Sequence, residues 1–351
     1  MHYAALRKEN DVGFAVPVVG ESPAQGTCTH PVDAPRTRGN APAVNASHKT
    51  STAAGVAAIL IWSCNLGVSR SLAEKVGALT SGGSMFLIGG TLGCVYAAVV
   101  QRRFLAMLRL PRKYLLGCGA MFAAYMVCLY LAVGLASSRQ QVLEVGILNY
   151  LWPSLTLLLS IPLLKTRTRA AFPLGIVLAV IGAAIAPMPP GAVSVDGLLH
   201  TLRSNPIPYL LALCAALLWA LYSNLSRRWA AEAEGGAVPL FSLAAGLALL
   251  ALRPLFSEPC AWSGAAVGEL LFMALLPSLI AYSCWDLAMR RGNVTLVASL
   301  SYLIPVFATL LGSLYLGVRA GPNLWIACGL IVFGATICQG SVIPGERAEV
   351  R

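Results

Sequence analysis

Polar and aromatic side chains recur at helical spacing inside long apolar stretches of this chain. Residues three, four or seven positions apart share one face of a helix, and five such faces combine Trp or Tyr with Asn, Ser or Thr. Their members are Trp62, Asn65 and Ser69; Asn149, Trp152 and Thr156; Trp219, Tyr222 and Ser226; Ser278, Tyr282 and Trp285; and Ser299, Tyr302, Thr309 and Ser313. Because a polar face is costly against lipid, we expect these faces to turn inward, where they line a cavity or join packed helices.

The chemistry that such faces favour is binding rather than catalysis. Trp and Tyr rings stack on an aromatic ligand or attract a cation, and amide and hydroxyl groups hydrogen-bond a carboxylate. These rings are bulky for close helix seams, so the pattern favours a cavity with amphipathic walls. The chain has no HExxH or Walker A motif, and its ten Cys and four His form no CxxC pair or zinc pattern. We therefore expect no enzyme activity, no cofactor and no metal site.

Two prolines interrupt apolar stretches at equivalent places. Pro153 and Pro305 lack an N–H, so the carbonyls of Asn149 and Ser301, four residues earlier, lose their helical partners. Within lipid such carbonyls must bond to protein, water or ligand. We interpret the two prolines as hinges between conformations, although a kink that only shapes the helix fits the sequence equally well.

Two carboxylates in apolar stretches are candidates for coupling transport to protons. Glu144 and Asp286 both lie inside predicted spans, and an acid within the membrane is a functional candidate by default. Each also has an arginine nearby in the sequence, Arg139 and Arg290 respectively, so an ordinary ion pair is the alternative.

The composition requires a membrane protein. Hydrophobic residues make up 57% of the chain and charged residues 11%, whereas soluble domains are about 25% charged. The apolar runs have the length of spanning helices, about 18–25 residues. We predict an all-α integral membrane protein with a disordered cytoplasmic tail at 1–51, a cytoplasmic tail at 341–351, and ten transmembrane helices. The spans are approximately 52–69, 77–100, 114–136, 141–164, 170–187, 207–225, 237–254, 266–289, 293–316 and 322–340.

Lys and Arg residues are distributed unevenly between the two sides that ten spans define. Most of the 25 lie in the two tails and in the loops on the same side as the tails. The positive-inside rule therefore places both termini in the cytoplasm. The net charge of +11 reflects this orientation, and we expect no nucleic-acid partner and no obligate protein partner.

An internal repeat relates the two halves of the chain. The first and sixth spans align with Trp62 on Trp219, and the fourth and ninth align with Pro153 on Pro305. Five spans is an odd number, so two copies in series insert in opposite orientations. We predict two inverted five-helix repeats, at 52–190 and 207–340, around a central cavity that opens to alternate sides.

The segment from Glu144 to Thr156, which contains Asn149-Tyr-Leu-Trp-Pro153, is the most distinctive in the chain. With the ten-span pattern it resembles the EamA branch of the drug/metabolite transporter superfamily, and within that branch the YddG-type aromatic amino acid exporters of bacterial inner membranes. Gly292-Asn-Val-Thr295, followed by Ser301, Tyr302 and Pro305, is similar to these exporters too.

The resemblance implies a multi-pass transporter of the bacterial inner (plasma) membrane that exports aromatic and other neutral or hydrophobic amino acids, by alternating access as the repeat predicts. Its partners would be a small-molecule amino acid and the lipid bilayer. An exporter of drugs or cationic metabolites on the same fold is the alternative. The residues implied to bind substrate are Trp62, Tyr125, Asn149, Tyr150, Trp152, Trp219, Tyr222, Tyr282, Trp285 and Tyr302.

Overall fold

The computed structural model describes residues 41–188, 194–230, 236–281 and 300–343, together with Cys284, Trp285, Ala288 and Val297. Most of the described residues are helical, because backbone N–H and C=O groups inside a membrane have no water to bond to and must hydrogen-bond to one another. They are α1 (Ala41–Ser63), α2 (Asn65–Val76), α3 (Ala78–Val99), α4 (Phe104–Leu108), α5 (Gly119–Leu135), α6 (Arg139–Asn149), α7 (Trp152–Leu164), α8 (Phe172–Ile185), α9 (Val195–Ser204), α10 (Ile207–Trp229), α11 (Val238–Leu252), α12 (Gly264–Leu275), α13 (Ile304–Leu316) and α14 (Pro322–Gly340).

Short irregular elements extend three of these helices, and two short strands pair with each other. A π-helical turn, Lys113–Cys118, precedes α5, a second one, Leu276–Ala281, follows α12, and a 3-10 turn, Arg253–Leu255, follows α11. Two short antiparallel strands, β1 (Arg167–Thr168) and β2 (Val342–Ile343), pair with each other. The loop after α7 is thereby attached to the segment after α14.

Eight helical segments in the described ranges are long and apolar enough to cross a membrane. They are Lys49–Val76, Ala78–Val99, Lys113–Leu135, Arg139–Leu164, Ile207–Trp229, Val238–Leu255, Gly264–Ala281 and Pro322–Gly340. Two shorter apolar helices, α8 and α13, fall at the fifth and ninth predicted spans. The predicted all-α, multi-pass membrane architecture is therefore confirmed. The count of ten and the division into repeats at 52–190 and 207–340 stay predictions.

The first predicted span is longer at both ends than the sequence indicated. Helix α1 begins at Ala41, so residues 41–51 are helical although we predicted a disordered tail up to residue 51. Alanines in this segment favour a helix, and Pro42 is tolerated in its first turn. At the other end, the helix continues through the polar residues of α2 to Val76, because those residues bond to neighbouring helices.

Both mid-span prolines follow the same interruption of the helix. Helix α6 ends at Asn149, a turn covers 150–151, and α7 places Pro153 in its first turn. Helix α13 likewise follows a turn at 302–303 and places Pro305 in its first turn. A proline there removes no hydrogen bond from the new helix. Each proline therefore begins a separate helix instead of bending a continuous one.

Glycines bring two pairs of helices into close contact. A Cβ atom added to Gly334 of α14 would lie 2.5 Å from the carbonyl oxygen of Gly175 of α8. A Cβ added to Gly246 of α11 would lie 3.0 Å from the carbonyl oxygen of Gly83 of α3. Small residues permit this approach and supply much of the packing between helices in membranes.

Candidate functional site

Five aromatic rings meet where α5, α7 and α10 pack together. The ring centroid of Trp219 lies 4.7 Å from that of Tyr125, 5.2 Å from Tyr222, 6.1 Å from Phe122 and 6.2 Å from Trp152. These separations suit favourable ring pairs. We call the five residues the aromatic cluster. Four of them are predicted site residues, so the structure brings together positions that are far apart in the sequence.

Phe122 is the member of the aromatic cluster that the sequence reasoning missed. Its side chain is 1% exposed and also contacts the rings of Phe86 and Phe241. It lies three residues before Tyr125 on α5 and therefore shares the helix face of that residue. This spacing was the available signal, but 57% of the chain is hydrophobic, so one more apolar residue does not stand out.

Hydrogen bonds of Asn224 fix α10 beside α7. Its Nδ2 atom donates to the carbonyl oxygen of Thr156 at 2.9 Å and to that of Ala220 on its own helix at 2.9 Å. Asn224 is 2% exposed, and buried amide bonds of this kind hold spanning helices in register. Trp152 and Trp219 lie on the same two helices, so this contact holds them in one wall.

A second aromatic group surrounds Trp62. Its indole ring lies 5.4 Å from that of Trp285, and its Nε1 atom donates to the carbonyl oxygen of Pro277 at 3.2 Å. Tyr150 packs against the same small core as these two tryptophans. Two further predicted residues are therefore in ring contact, and a third, Tyr150, borders the same core. Tyr302 is half-buried, and among the described residues no ring contact joins it to either group.

Several buried polar atoms on these faces have no hydrogen-bond partner among the described residues. They are Oδ1 of Asn149, Oγ of Ser154 and Oδ1 of Asn65. The Asn149 side chain interacts with that of Tyr125 in the aromatic cluster, and Asn65 shares the helix face of Trp62. Buried polar groups are nearly always paired. Unpaired acceptor oxygens beside aromatic rings can therefore accept hydrogen bonds from a ligand or from water.

Glu144 is buried and bonded to a tyrosine. It is 8% exposed, and its Oε2 atom accepts from the hydroxyl of Tyr209 on α10 at 2.5 Å. Within the part of the chain that the structure describes, no ion pair includes Glu144. The alternative pairing with Arg139 is therefore wrong, since Arg139 bonds to Glu74 at 2.6 Å.

An ionic cluster joins the two predicted halves at one end of the helices. Glu74 on α2 accepts from Arg139 Nη2 at 2.6 Å and from Arg70 Nε at 2.9 Å. Arg139 also donates to the carbonyl oxygen of Leu316 at the end of α13, at 2.7 Å. We call Arg70, Glu74, Arg139 and the Leu316 carbonyl the Glu74 network.

Two further glutamates connect the halves at the same end. Oε1 of Glu269 on α12 accepts from Lys75 at 2.5 Å and from Ser71 at 2.8 Å, both on α2. Glu258 accepts from the backbone N–H groups of Leu79 and Thr80, at 2.6 and 2.9 Å, and so caps the start of α3.

Two predicted site residues, Tyr282 and Asp286, lie outside the described residues. Among the residues that are described, no group of three His, Cys, Asp or Glu side chains is placed to hold a metal ion. The arrangement is thus a set of aromatic walls and unpaired oxygens inside a helical membrane protein. Such a site can bind an amphipathic solute.

Comparison with known proteins identifies the class. The EamA-like transporter family matches residues 206–338, the part of the chain predicted as the second repeat. An aromatic amino acid exporter, YddG, of Ancylobacter novellus is 33% identical over 296 residues, which cover 83% of this chain and 97% of the relative. The chain therefore belongs to the EamA-like transporter family and is a multi-pass membrane transporter, as the sequence resemblance implied.

Two further comparisons extend over the same part of the chain. The aromatic amino acid exporter YddG of Salmonella typhimurium is 29% identical over 287 residues, which cover 82% of this chain and 96% of the relative. A crystal structure of a protein 31% identical to this chain superimposes with a TM-score of 0.58 and covers 83% of this chain and 96% of its own. The similarity in fold thus extends over the same share of this chain as the similarity in sequence.

Proposed function

We propose that this transporter exports aromatic and other neutral or hydrophobic amino acids, and that it does so by alternating access. The observation that carries the proposal is the unpaired Oδ1 atom of Asn149 beside Tyr125 in the aromatic cluster. An amino acid such as phenylalanine offers an ammonium group to this oxygen and a ring to the surrounding aromatic side chains. The relatives named as aromatic amino acid exporters support this choice of substrate.

The remaining predicted residues complete the proposed path. Trp62, Tyr150 and Trp285 form its second aromatic wall. We assign Tyr302 and Tyr282 to the same path from their positions in the sequence. The rings of the aromatic cluster touch one another, so admission of a substrate requires the walls to separate. The interruptions before Pro153 and Pro305 are the places where the fourth and ninth spans can bend without breaking a helical hydrogen bond.

In alternating access, contacts between the two halves form on one side of the membrane and break when that side opens. The Glu74 network and the Glu269 contacts are such contacts, and we assign them to the closed outer side. The positive-inside rule predicts that both termini lie in the cytoplasm, so that this side faces outward from the inner membrane of a bacterium. A relative in Escherichia coli K12 is named an inner membrane transporter.

Among the residues that the structure describes, Glu144 is the candidate for coupling export to protons. Its carboxylate is bonded across the predicted halves to Tyr209, so a change in its charge acts on the contact between them. The same buried carboxylate favours the second candidate function, export of drugs or cationic metabolites, because it is available to a cation. Asp286 remains the other candidate from the sequence.

A competition experiment tests the proposed substrate class. Binding of labelled phenylalanine to the purified transporter is measured against phenylalanine, 3-phenylpropionate, which lacks the ammonium group, and phenethylamine, which lacks the carboxylate. We expect phenylalanine to compete best. Asn149→Ala removes a hydrogen bond to a charged group, worth about 1.5–3 kcal/mol, and should abolish the preference over 3-phenylpropionate. Phenethylamine that competes more strongly than phenylalanine itself would favour the cation exporter instead.

A further inference from the structure

A groove opens on the outer surface of the helix bundle between α7 and α8. Its volume is about 540 Å³, within the usual range for small-ligand pockets, about 300–1,000 Å³. Apolar side chains line most of it, among them Leu158, Ile161, Ile176 and Val177. Leu158 is 37% and Val177 52% exposed. Both lie on apolar helices of a membrane protein, so the apolar part of the groove faces lipid.

The loop that joins α7 to α8 closes one end of the groove with positive charge. Thr168 and Arg169 belong to the groove wall, and Lys165 and Arg167 lie in the same loop. The side chains of Lys165, Arg167 and Arg169 are exposed, and within the described chain none of the three forms an ion pair. The loop itself contains no Asp or Glu.

Backbone contacts hold this basic loop in place. The pairing of β1 with β2 fixes Arg167 and Thr168, and the N–H of Arg169 donates to the carbonyl oxygen of Ser341 at 2.8 Å. The carbonyl oxygen of Arg169 in turn accepts from the N–H of Phe172 at 3.0 Å. Arg169 is therefore held at the end of an apolar groove, with Lys165 and Arg167 in the same loop, on a backbone that is already ordered.

We propose that this groove is a binding site for an anionic phospholipid, with an acyl chain along α7 and α8 and the phosphate group at Lys165, Arg167 and Arg169. Basic pockets beside spanning helices on the cytoplasmic side suit anionic lipid headgroups. The positive-inside assignment puts this loop on that side, where the headgroups of the inner leaflet lie. The N-terminus of α8, at Phe172, adds a favourable partial charge.

The matching loop in the second predicted repeat differs in charge. The segment after α13 contains one cation, Arg319, at the position that corresponds to Arg167. The two repeats are predicted to be inverted, so the matching loop lies on the opposite side of the membrane, where the positive-inside rule expects few cations. The basic loop beside this groove therefore lies on the cytoplasmic side, where anionic headgroups are accessible.

Native mass spectrometry of the purified full-length transporter tests this site. The protein is titrated in detergent with phosphatidylglycerol and, separately, with zwitterionic phosphatidylethanolamine. We expect the wild type to bind phosphatidylglycerol more tightly. The double variant Arg167→Gln/Arg169→Gln should lose affinity by about fivefold for each charge removed, or about 25-fold in total. The control is Arg112→Gln/Lys113→Gln, which removes two exposed cations from another loop and should lose little.

A second variant tests the apolar part of the groove without a change of charge. Ile176→Trp fills the space between α7 and α8 and should weaken phosphatidylglycerol binding, while leaving the basic loop intact. Equal affinity of the wild type for the two lipids would overturn the proposal. Equal losses in the two double variants, or wild-type affinity in Ile176→Trp, would overturn it as well.

Discussion

Glu74→Gln should loosen the outer end of the helix bundle. The glutamate carboxylate is the common acceptor for Arg70 at 2.9 Å and Arg139 at 2.6 Å. Glutamine keeps the length of the side chain but removes its charge. Arg139 then retains the Leu316 carbonyl, at 2.7 Å, as its contact with α13. Helices α2 and α6, both in the first predicted half, are consequently held together less firmly at this end.

The size of the effect follows from the exposure of the groups. The Arg139 side chain is 46% exposed and the Glu74 side chain 29%, so solvent screens the pair. Exposed ion pairs contribute about 0.2–1 kcal/mol each. For the two pairs of the network we expect a total of about 1 kcal/mol. This corresponds to about a fivefold increase in the population in which this end is open.

Amide hydrogen exchange measures that population. When opening and closing are fast, the exchange rate of a protected amide is proportional to the fraction of open molecules. Peptides that contain the last turn of α2 and the first turn of α6 should therefore exchange about five times faster in Glu74→Gln. Salt at 1 M screens the same ion pairs, so it should accelerate exchange in the wild type and have little effect on the variant.

Asp196→Asn is the matched control. Asp196 is exposed on α9, and the structure gives it no ion pair within the described ranges. The control removes the same charge and should leave exchange in α2 and α6 unchanged. If Glu74→Gln exchanges at the wild-type rate in both peptides, or if the control is accelerated equally, the ion pairs of Glu74 do not hold α2 and α6 together.

Three further predictions concern packing and coupling. Phe122→Ala removes a ring that is 1% exposed and should destabilise the protein by about 3–5 kcal/mol; a denaturation midpoint in detergent equal to the wild type would contradict the packing described. Gly334→Leu places side-chain atoms against the Gly175 carbonyl and should lower the thermal midpoint, whereas Gly329→Leu, where an added Cβ meets nothing within 4 Å, should not. Glu144→Gln should flatten the pH dependence of phenylalanine export if this carboxyl carries protons; a pH profile identical to that of the wild type would exclude it.

The sequence predicted the aromatic walls because their members follow helical periodicity. Trp152 and Trp219 were placed on inward faces by spacing alone, and the structure brings their rings to 6.2 Å. The cost of a polar face in lipid constrains where such a face can point. This constraint is local to each helix, so it can be read without knowledge of the other helices.

The ionic contacts between helices could not be predicted in the same way. Arg139 was available to either Glu144 or Glu74, and nearness in the sequence favoured Glu144 on its own helix. The structure pairs it with Glu74 on α2, and Glu144 turns to Tyr209 on α10. Which acid an arginine reaches depends on the distance between helices, and periodicity contains no information on that distance.

The ends of the helices also could not be predicted from hydropathy. The first span was expected to end at residue 69, yet the helix continues to Val76 through Arg70, Glu74 and Lys75. These side chains bond to one another and to neighbouring helices, so they remain in a helix beyond the apolar core. A hydropathy pattern shows where the membrane interior ends. The helix extends beyond that point because its residues still form hydrogen bonds there.

Uptake of labelled phenylalanine into proteoliposomes tests the central claim most directly. The comparison is between the wild type, Trp219→Ala at the centre of the aromatic cluster, and Trp325→Ala, which removes a 38% exposed tryptophan from α14. We predict saturable uptake by the wild type and by Trp325→Ala, and at least a tenfold higher half-saturation concentration or complete loss in Trp219→Ala. Uptake that is equal in all three proteins, or absent from the wild type with and without a pH gradient, would contradict an amino acid transporter that uses this site.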